Sequence, residues 1–556
     1  MTWQLGRLEA KVRSTLARMK RGDFVRRFVA RDPTLWKQDG RHAEVIRNRM
    51  GWLDAPAAML RNVPGMTSLA AGMREEKIKD VVLLGMGGSS LCPDVLKRTF
   101  RRRPGHPALH VLDTTSPEMI AAVEAAIDPE RTIFLVASKS GTTIESAMLT
   151  RHFASMAPPA RFVAITDPGT PLEEEAKSKG YRAFFPNPPD IGGRYSALSY
   201  FGMVPAAILG IDVARLLSRG AGVVESLRSD VPPLEIPAVS LGAALGALSL
   251  ARRDKLTIVA SPAVAAFGYW AEQLVAESTG KEGRGIVPIE GEELGPPSRY
   301  GRDRVFVRLR LKGAREPEID RRVRALKADG HPFITLEMED LYDLGSQFCL
   351  WEVATAVAGS VLTVDPFDEP NVKESKDNTA RVLEQYKSTG ALPSRPADLQ
   401  EAGLSAWAVP APWKQAAAGG LAPLMAMLVR SVRPGDYIAL MAYLSSDRPT
   451  ATRLNQLRMA LRDRTGAATT LGYGPRFLHS TGQLHKGGPP AGIFIQLTAD
   501  PPVDRAIPGE SFTFGTLQAA QAAGDLESLA ARGLRALRVH LGLQRLAGIE
   551  LLLSKL

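Results

Sequence analysis

From about residue 76 onward, short apolar runs alternate with stretches of helical periodicity. Val81–Met86, Leu109–Asp113, Thr132–Ala137, Arg161–Thr166 and Arg182–Phe185 read as strands. These runs lack polar alternation, the pattern of strands buried on both faces of a parallel sheet covered by helices. Residues 193–230 read as a helical connector. A second unit of the same kind follows, with strands at Leu256–Ser261, Val305–Leu311 and Pro332–Met338. The pattern predicts an α/β protein with two three-layer αβα units and parallel sheets. The expected organisation is a helical arm over 1–75, a first unit over 76–230 and a second over 231–390. A linker, rich in Pro, Ala and Gly between 391 and 420, spans 391–430. A C-terminal α/β block covers 431–556, with strands at Ala468–Tyr473 and Gly492–Thr498 and helices to the end. Trp36 and Trp52 fit anchors that hold the arm against the larger body.

Composition narrows the function classes. The 556 residues are 45% hydrophobic and 23% charged, the profile of a globular protein with a large core. The two cysteines, Cys92 and Cys349, cannot build a disulfide framework, which points to a reducing cytoplasm. The longest apolar stretches, around Pro237–Ala251 and Ser199–Ile211, fall short of the ~20 residues that span a bilayer, so no membrane role is expected. The net charge of +11 is spread along the chain, with Arg101-Arg102-Arg103 the main cluster. No nucleic-acid-binding signature accompanies it, and a basic surface that attracts anionic metabolites is the expectation.

Six stretches carry candidate chemistry. In Val81-Val-Leu-Leu-Gly-Met-Gly-Gly-Ser-Ser-Leu91 a strand ends in a glycine turn and a helix follows. Gly85, Gly87 and Gly88 permit close backbone approach, and the helix start offers N–H groups to an anion. Ser90 stands where a dinucleotide fingerprint needs its last glycine. Ser138-Lys-Ser-Gly-Thr-Thr-Ile-Glu-Ser146 follows the third strand. Its hydroxyls exceed what a helix cap needs and suit a phosphate cradle, and it lacks the P-loop pattern. Gly192-Gly-Arg-Tyr-Ser196 presents Arg194, a permanent cation suited to an oxyanion. In Glu277-Ser-Thr-Gly-Lys281 a carboxylate ends the helical pattern Pro262–Ala276, a general base if burial tunes it. Asp365-Pro-Phe-Asp-Glu-Pro370 leads into a helix with Lys373 and Lys376 about one turn apart. Gly474–Gly488 places His479 and His485 in a glycine-rich stretch without the Cys or acidic ligands of a metal site. Taken singly, the arginine, lysine and histidine stretches also fit ordinary surface or local hydrogen-bonding roles.

Together these stretches resemble phosphoglucose isomerase, a family of paired sugar isomerase (SIS) domains. The resemblance runs from 85 to 485. It implies cofactor-free aldose–ketose isomerisation of glucose 6-phosphate and fructose 6-phosphate, in glycolysis and gluconeogenesis, with no metal. By this resemblance Glu277 moves a proton between C2 and C1 through a cis-enediol and Arg194 stabilises the enediolate. Gly88, Ser89, Ser90, Ser138, Lys139, Ser140, Thr142 and Thr143 hold the phosphate, and His479 and Lys376 assist ring opening. His485 is the alternative histidine. The lysine preceding the histidine departs from the usual order and resembles the isomerase half of bifunctional transaldolase–phosphoglucose isomerases. A homodimer is implied, in which His479 serves either its own or the neighbouring subunit. Broader specificity that includes mannose 6-phosphate, and a non-catalytic sugar-phosphate sensor, are the alternatives; the sensor predicts a missing base or arginine, and both are present.

Overall fold

The computed structural model describes all 556 residues, apart from the side chains of Lys373 and Ser375. The pairing of Lys373 with Lys376 therefore lies outside the described residues. Three sheets organise the chain. An edge strand, β1 (Thr2–Gln4), belongs to the second. The first is wholly parallel, in the order β3-β2-β4-β5-β6. Its strands are β2 (Asp80–Gly85), β3 (Ala108–Leu112), β4 (Thr132–Ala137), β5 (Phe162–Thr166) and β6 (Ala183–Pro186). The second contains β7 (Lys255–Ala260), β8 (Val287–Ile289), β9 (Arg304–Leu311) and β10 (Phe333–Met338), ordered β1-β10-β9-β7-β8. Only β1 runs antiparallel.

The third sheet is built from β11 (Leu399–Glu401), β12 (Leu404–Ala408), β13 (Tyr437–Tyr443), β14 (Ala468–Tyr473), β15 (Gly492–Thr498) and β16 (Arg535–His540). Its order is β11-β12-β16-β15-β13-β14, parallel from β16 to β14. The α/β class and the strands expected in the first two units agree with the structure to within a residue or two, and the short strand β8 lies outside that expectation. Four further stretches differ. The 391–430 segment, expected as a linker, supplies β11, β12 and two helices, Ala411–Ala418 and Leu421–Arg430. Leu421, Leu424, Met425 and Leu428 recur at helical spacing under the Ala/Gly-rich composition and are buried in the third unit's core. The central strand β13 was absent from the expectation because its seven residues are all apolar, and periodicity cannot tell such a run from a buried helix. Strand β16 stands in a segment expected to be helical. The arm also contributes β1 to the second sheet, so it is not purely helical.

Topology decides where a ligand can sit. In the first sheet the chain leaves β2 toward β3 on one side, and β4 lies on the other. The register sets Gly85 beside Ala137. The loops that follow β2 and β4 therefore emerge together at a topological switch point, where the carboxyl ends of parallel strands open a crevice. The arm buttresses the same region. Trp36 Nε1 donates to Ala356 O at 2.8 Å, and its ring meets Phe367 edge-on at 5.1 Å. Trp52 stacks on Tyr195 at 5.1 Å. Both tryptophans thus press on the two loops that carry Arg194 and its carbonyl partners.

Candidate active site

Glu277 lies in the last turn of the helix Phe267–Thr279, with 8% of its surface exposed. One turn earlier, Gln273 sits on the same face. Its Nε2 donates to Glu277 Oε2 at 3.0 Å and to His479 O at 2.7 Å. Arg194 Nη1 stands 3.2 Å from Glu277 Oε1. The base and the histidine segment are thus tied together by one glutamine amide, and the arginine, up to 285 positions away, joins them through the base.

The guanidinium is held on every side. Its Nε donates to Ser278 Oγ at 2.8 Å, Nη1 to Glu369 at 3.1 Å, and Nη2 to Pro366 O and Asp368 O at 2.6 and 2.8 Å. The same loop is fixed from the other side by Lys281, whose Nζ donates to Asp365 O, to the shared Asp368 O and, at 2.6 Å, to Asp368 Oδ1. His42 of the arm closes the arrangement on Asp365 Oδ2 at 3.0 Å. His42, Asp365 and Asp368 lie close enough together to hold an ion. Their oxygens are already committed to Lys281, His42 and the Phe367 N–H, so the cluster acts as a buttress for the arginine loop.

Electrostatics follow from this sharing. Burial pushes the Glu277 carboxyl up from the ordinary range, and Glu369 adds to it; Arg194 opposes the shift but divides its charge between two carboxylates. Burial works against the Arg194 cation, and the two glutamates more than restore it, so its pKa is raised. The pair therefore consists of a fixed cation and a carboxylate poised to accept a proton.

The glycine turn packs rather than cradles. Gly88 abuts the 193–195 turn so closely that a Cβ would lie 1.9 Å from Gly193 O. Gly87, at φ +56°, leaves room for the His479 backbone in the same way. Ser90 is fully buried and donates to Asp113 at 3.1 Å, which in turn binds Arg476 at 2.7 Å. Gly88 thus seats the arginine turn. Gly88→Ala is expected to displace Arg194, lowering the melting temperature by several degrees and kcat by at least about tenfold, since overpacking costs roughly 1–3 kcal/mol or more. Thermal melting and initial rates check this.

The hydroxyl loop lies across the switch point. Ser138 Oγ bonds Thr143 Oγ1 at 3.1 Å and Ser140 Oγ bonds Thr142 Oγ1 at 2.9 Å. Gly141 turns the loop at φ +67°. Lys139 points away, to Asp167 and to Pro189 O at 2.9 Å. A cavity of about 210 Å³ opens beside this loop, lined by Thr142, Thr143, Glu145, Lys376, His479 and Gln521 among others. The helix Val372–Thr389 brings Lys376, and a short 3-10 turn after β14 brings His479. The lysine and histidine meet there although their order in the chain is reversed.

His479 Nε2 lies 2.9 Å from Glu145 Oε1. Gln521 donates to the same oxygen at 2.8 Å, and Thr115 orients Gln521. Burial alone would raise the Glu145 carboxyl, but His479 and Lys376 hold it below the usual range, so it stays ionised. His485 is different. It is buried among Tyr437, Phe477 and Phe494, and burial lowers its pKa to about 3. A ring held neutral among aromatic rings is a packing element, so of the two histidines only His479 faces the cavity. Glu145, Gln273, Gln521 and Glu369 escaped the sequence reading. Gln273 had a local signal one turn before Glu277, and Glu145 and Glu369 stood inside the hydroxyl and Asp365–Pro370 stretches without a role assigned to them.

Two αβα units on mainly parallel sheets, a hydroxyl loop at a strand-end crevice, and a buried carboxylate paired with a fixed arginine fit the class of phosphosugar isomerases. The phosphoglucose isomerase family model matches residues 63–285, which include Gly88, Thr143, Arg194 and Glu277. Glucose-6-phosphate isomerase of Rubrobacter xylanophilus is 30% identical over 404 residues, 61% of this chain and 92% of that protein. Its counterpart in Mycoplasmopsis pulmonis is 28% identical over 387 residues, 60% and 90% respectively. A glucose-6-phosphate isomerase crystal structure from Chlamydia trachomatis superposes with a TM-score of 0.50 at 20% identity, covering 65% of this chain and 78% of that one. A hypothetical protein from Thermus thermophilus gives 0.54 at 24% identity, over 70% of this chain and all of that one. The two structures show the shared fold. The chain belongs to the phosphoglucose isomerase family and is a sugar-phosphate isomerase. No helix among the described residues is long and apolar enough to cross a membrane.

Proposed function

We propose that the chain interconverts glucose 6-phosphate and fructose 6-phosphate through a cis-enediol, serving glycolysis and gluconeogenesis. The observation that carries this reading is the Glu277–Gln273–His479 linkage, which ties a proton-accepting carboxylate, itself paired with a fixed cation, to the segment that carries a cavity-lining histidine. The hydroxyls of Ser138, Ser140, Thr142 and Thr143, with Ser89 nearby on the glycine turn, anchor the phosphate. That anchoring energy orients C1 and C2 against the base. Glu277 takes the proton from C2 and returns it to C1. Negative charge that develops on the enediolate oxygen is stabilised by Arg194, which needs no reorganisation because its contacts are preset.

Ring opening precedes the proton transfer. His479, oriented by ionised Glu145, exchanges the proton between the ring oxygen and the C1 hydroxyl, and Lys376 holds sugar oxygens at the cavity mouth. Ser90 and Lys139, committed to Asp113 and Asp167, position the two loops instead of touching phosphate. The bonds of the His479 segment to Glu145 and Gln273 are made within one chain, which supports its acting in its own subunit. The family's usual homodimer is the assembly we propose.

A coupled glucose 6-phosphate isomerase assay in the presence of EDTA tests the reading. Full activity is expected, and absence of turnover in either direction would reject it. His479→Asn is expected to slow turnover of the cyclic sugar by roughly 10²-fold while an open-chain substrate analogue loses far less. Parallel rates on the two substrates check this; equal losses on both would place His479 outside ring opening.

A further inference from the structure

The third sheet repeats the geometry that makes a ligand site in the first. Its order runs β16-β15-β13-β14, so the chain leaves β13 toward β14 on one side and returns through β15 on the other. The carboxyl ends of β13, β15 and β16 are Tyr443, Thr498 and His540. All three line one cavity of about 380 Å³ at this second switch point, within the roughly 300–1,000 Å³ range of small-molecule sites. Trp407, on β12, forms part of its wall.

Two buried donors there lack partners. Gln518, 8% exposed and on the helix Phe514–Ala531, has no acceptor for Nε2. Arg538, on β16, gives Nε to Gln496 at 2.6 Å but has no acceptor for Nη2. Burial pulls its pKa down to about 10, the sign of a cation that loses more hydration than the surrounding protein returns. The nearby carboxylates are committed elsewhere. Asp500 faces His540 at 3.4 Å, Asp504 caps the Phe514–Ala531 helix through Thr513 and the Gly515 N–H, and Asp525 binds Lys486 at 2.7 Å. Leaving buried donors unpaired costs stability, roughly 1–3 kcal/mol each. A ligand acceptor removes that cost.

We propose that this cavity is a second binding site, separate from the isomerase crevice, for a small phosphorylated sugar. Arg538 and Gln518 hold its phosphate oxygens, and the Trp407 indole packs against its ring. The same helix presents Gln518 to this cavity and Gln521 to the isomerase cavity.

The test is a titration of the full chain with inorganic phosphate and with glucose 6-phosphate, reading the tryptophan fluorescence that Trp407→Phe abolishes. Trp407 lines this cavity and not the isomerase one, so the signal is independent of turnover. A saturable signal is expected with both ligands. Arg538→Met and Gln518→Leu are expected to raise the dissociation constant at least about tenfold and to leave isomerase rates within about twofold. Absence of a Trp407-dependent signal, or affinity unchanged in the variants, would overturn the proposal. If Arg538→Met fails to fold, Gln518→Leu decides.

Discussion

Glu277→Gln is expected to lower kcat for sugar-phosphate isomerisation by roughly 10²–10⁴-fold with little change in KM. The glutamine fills the same volume and can turn its carbonyl toward Arg194, so that contact survives, while the bond from Gln273 Nε2 is lost because the new amide nitrogen cannot accept it. It cannot accept a proton from carbon. In the proposed reading the phosphate is held by the separate loop 138–143, so ground-state binding is retained, and a kcat-only loss is the signature of an interaction used in the transition state. The wild-type pH profile provides an internal check. Burial raises the Glu277 carboxyl, so the base is protonated until pH passes above the ordinary glutamate range. The acidic limb of the rate profile should therefore lie above 4.5, the ordinary value. Near-normal turnover in Glu277→Gln would remove Glu277 from the chemistry.

Arg194→Met is expected to act in three ways at once. Loss of the oxyanion partner should reduce kcat by roughly 10²–10³-fold. Loss of the cation leaves Glu277 and Glu369 facing each other, and breaking a buried pair costs about 3–5 kcal/mol, visible as a lower melting temperature. It also removes the main group that holds the Glu277 pKa down. That pKa must rise, so the acidic limb of the residual activity should move to higher pH. Arg194→Lys should not rescue. An ammonium has three donors, while the guanidinium at this position serves Ser278, Glu277, Glu369, Pro366 O and Asp368 O. Rescue by lysine, or an unmoved acidic limb in Arg194→Met, would count against the assigned electrostatics.

Much of the fold was legible because buried parallel strands leave short apolar runs between helices, as at Thr132–Ala137. The failures have physical causes. Tyr437–Tyr443 is apolar throughout and carries no period. The 391–430 segment hides a helical leucine stripe under a loop-like composition. At the site, the residues to which chemistry is assigned were visible as motifs, whereas those that orient them were not. Glu145 and Gln521 are separated by 376 positions and meet only through tertiary packing. Gly88 was read as making room for a ligand, yet the space it leaves is filled by the Gly193 carbonyl. Ser90 and Lys139 have the right chemistry for phosphate and are turned away by Asp113 and Asp167. A sequence gives residue types in a loop, but the direction of each side chain depends on partners far along the chain.

The central claim is proton transfer between C1 and C2 through Glu277. Running glucose 6-phosphate to equilibrium in D₂O and following the sugar phosphates by NMR tests it most directly. An enediol with a carboxylate base predicts both substrate and product sugar in the equilibrium mixture, with solvent deuterium at C2 of glucose 6-phosphate and C1 of fructose 6-phosphate, and loss of that exchange in Glu277→Gln. Equilibration without any deuterium in either sugar would show direct hydride migration and contradict the account.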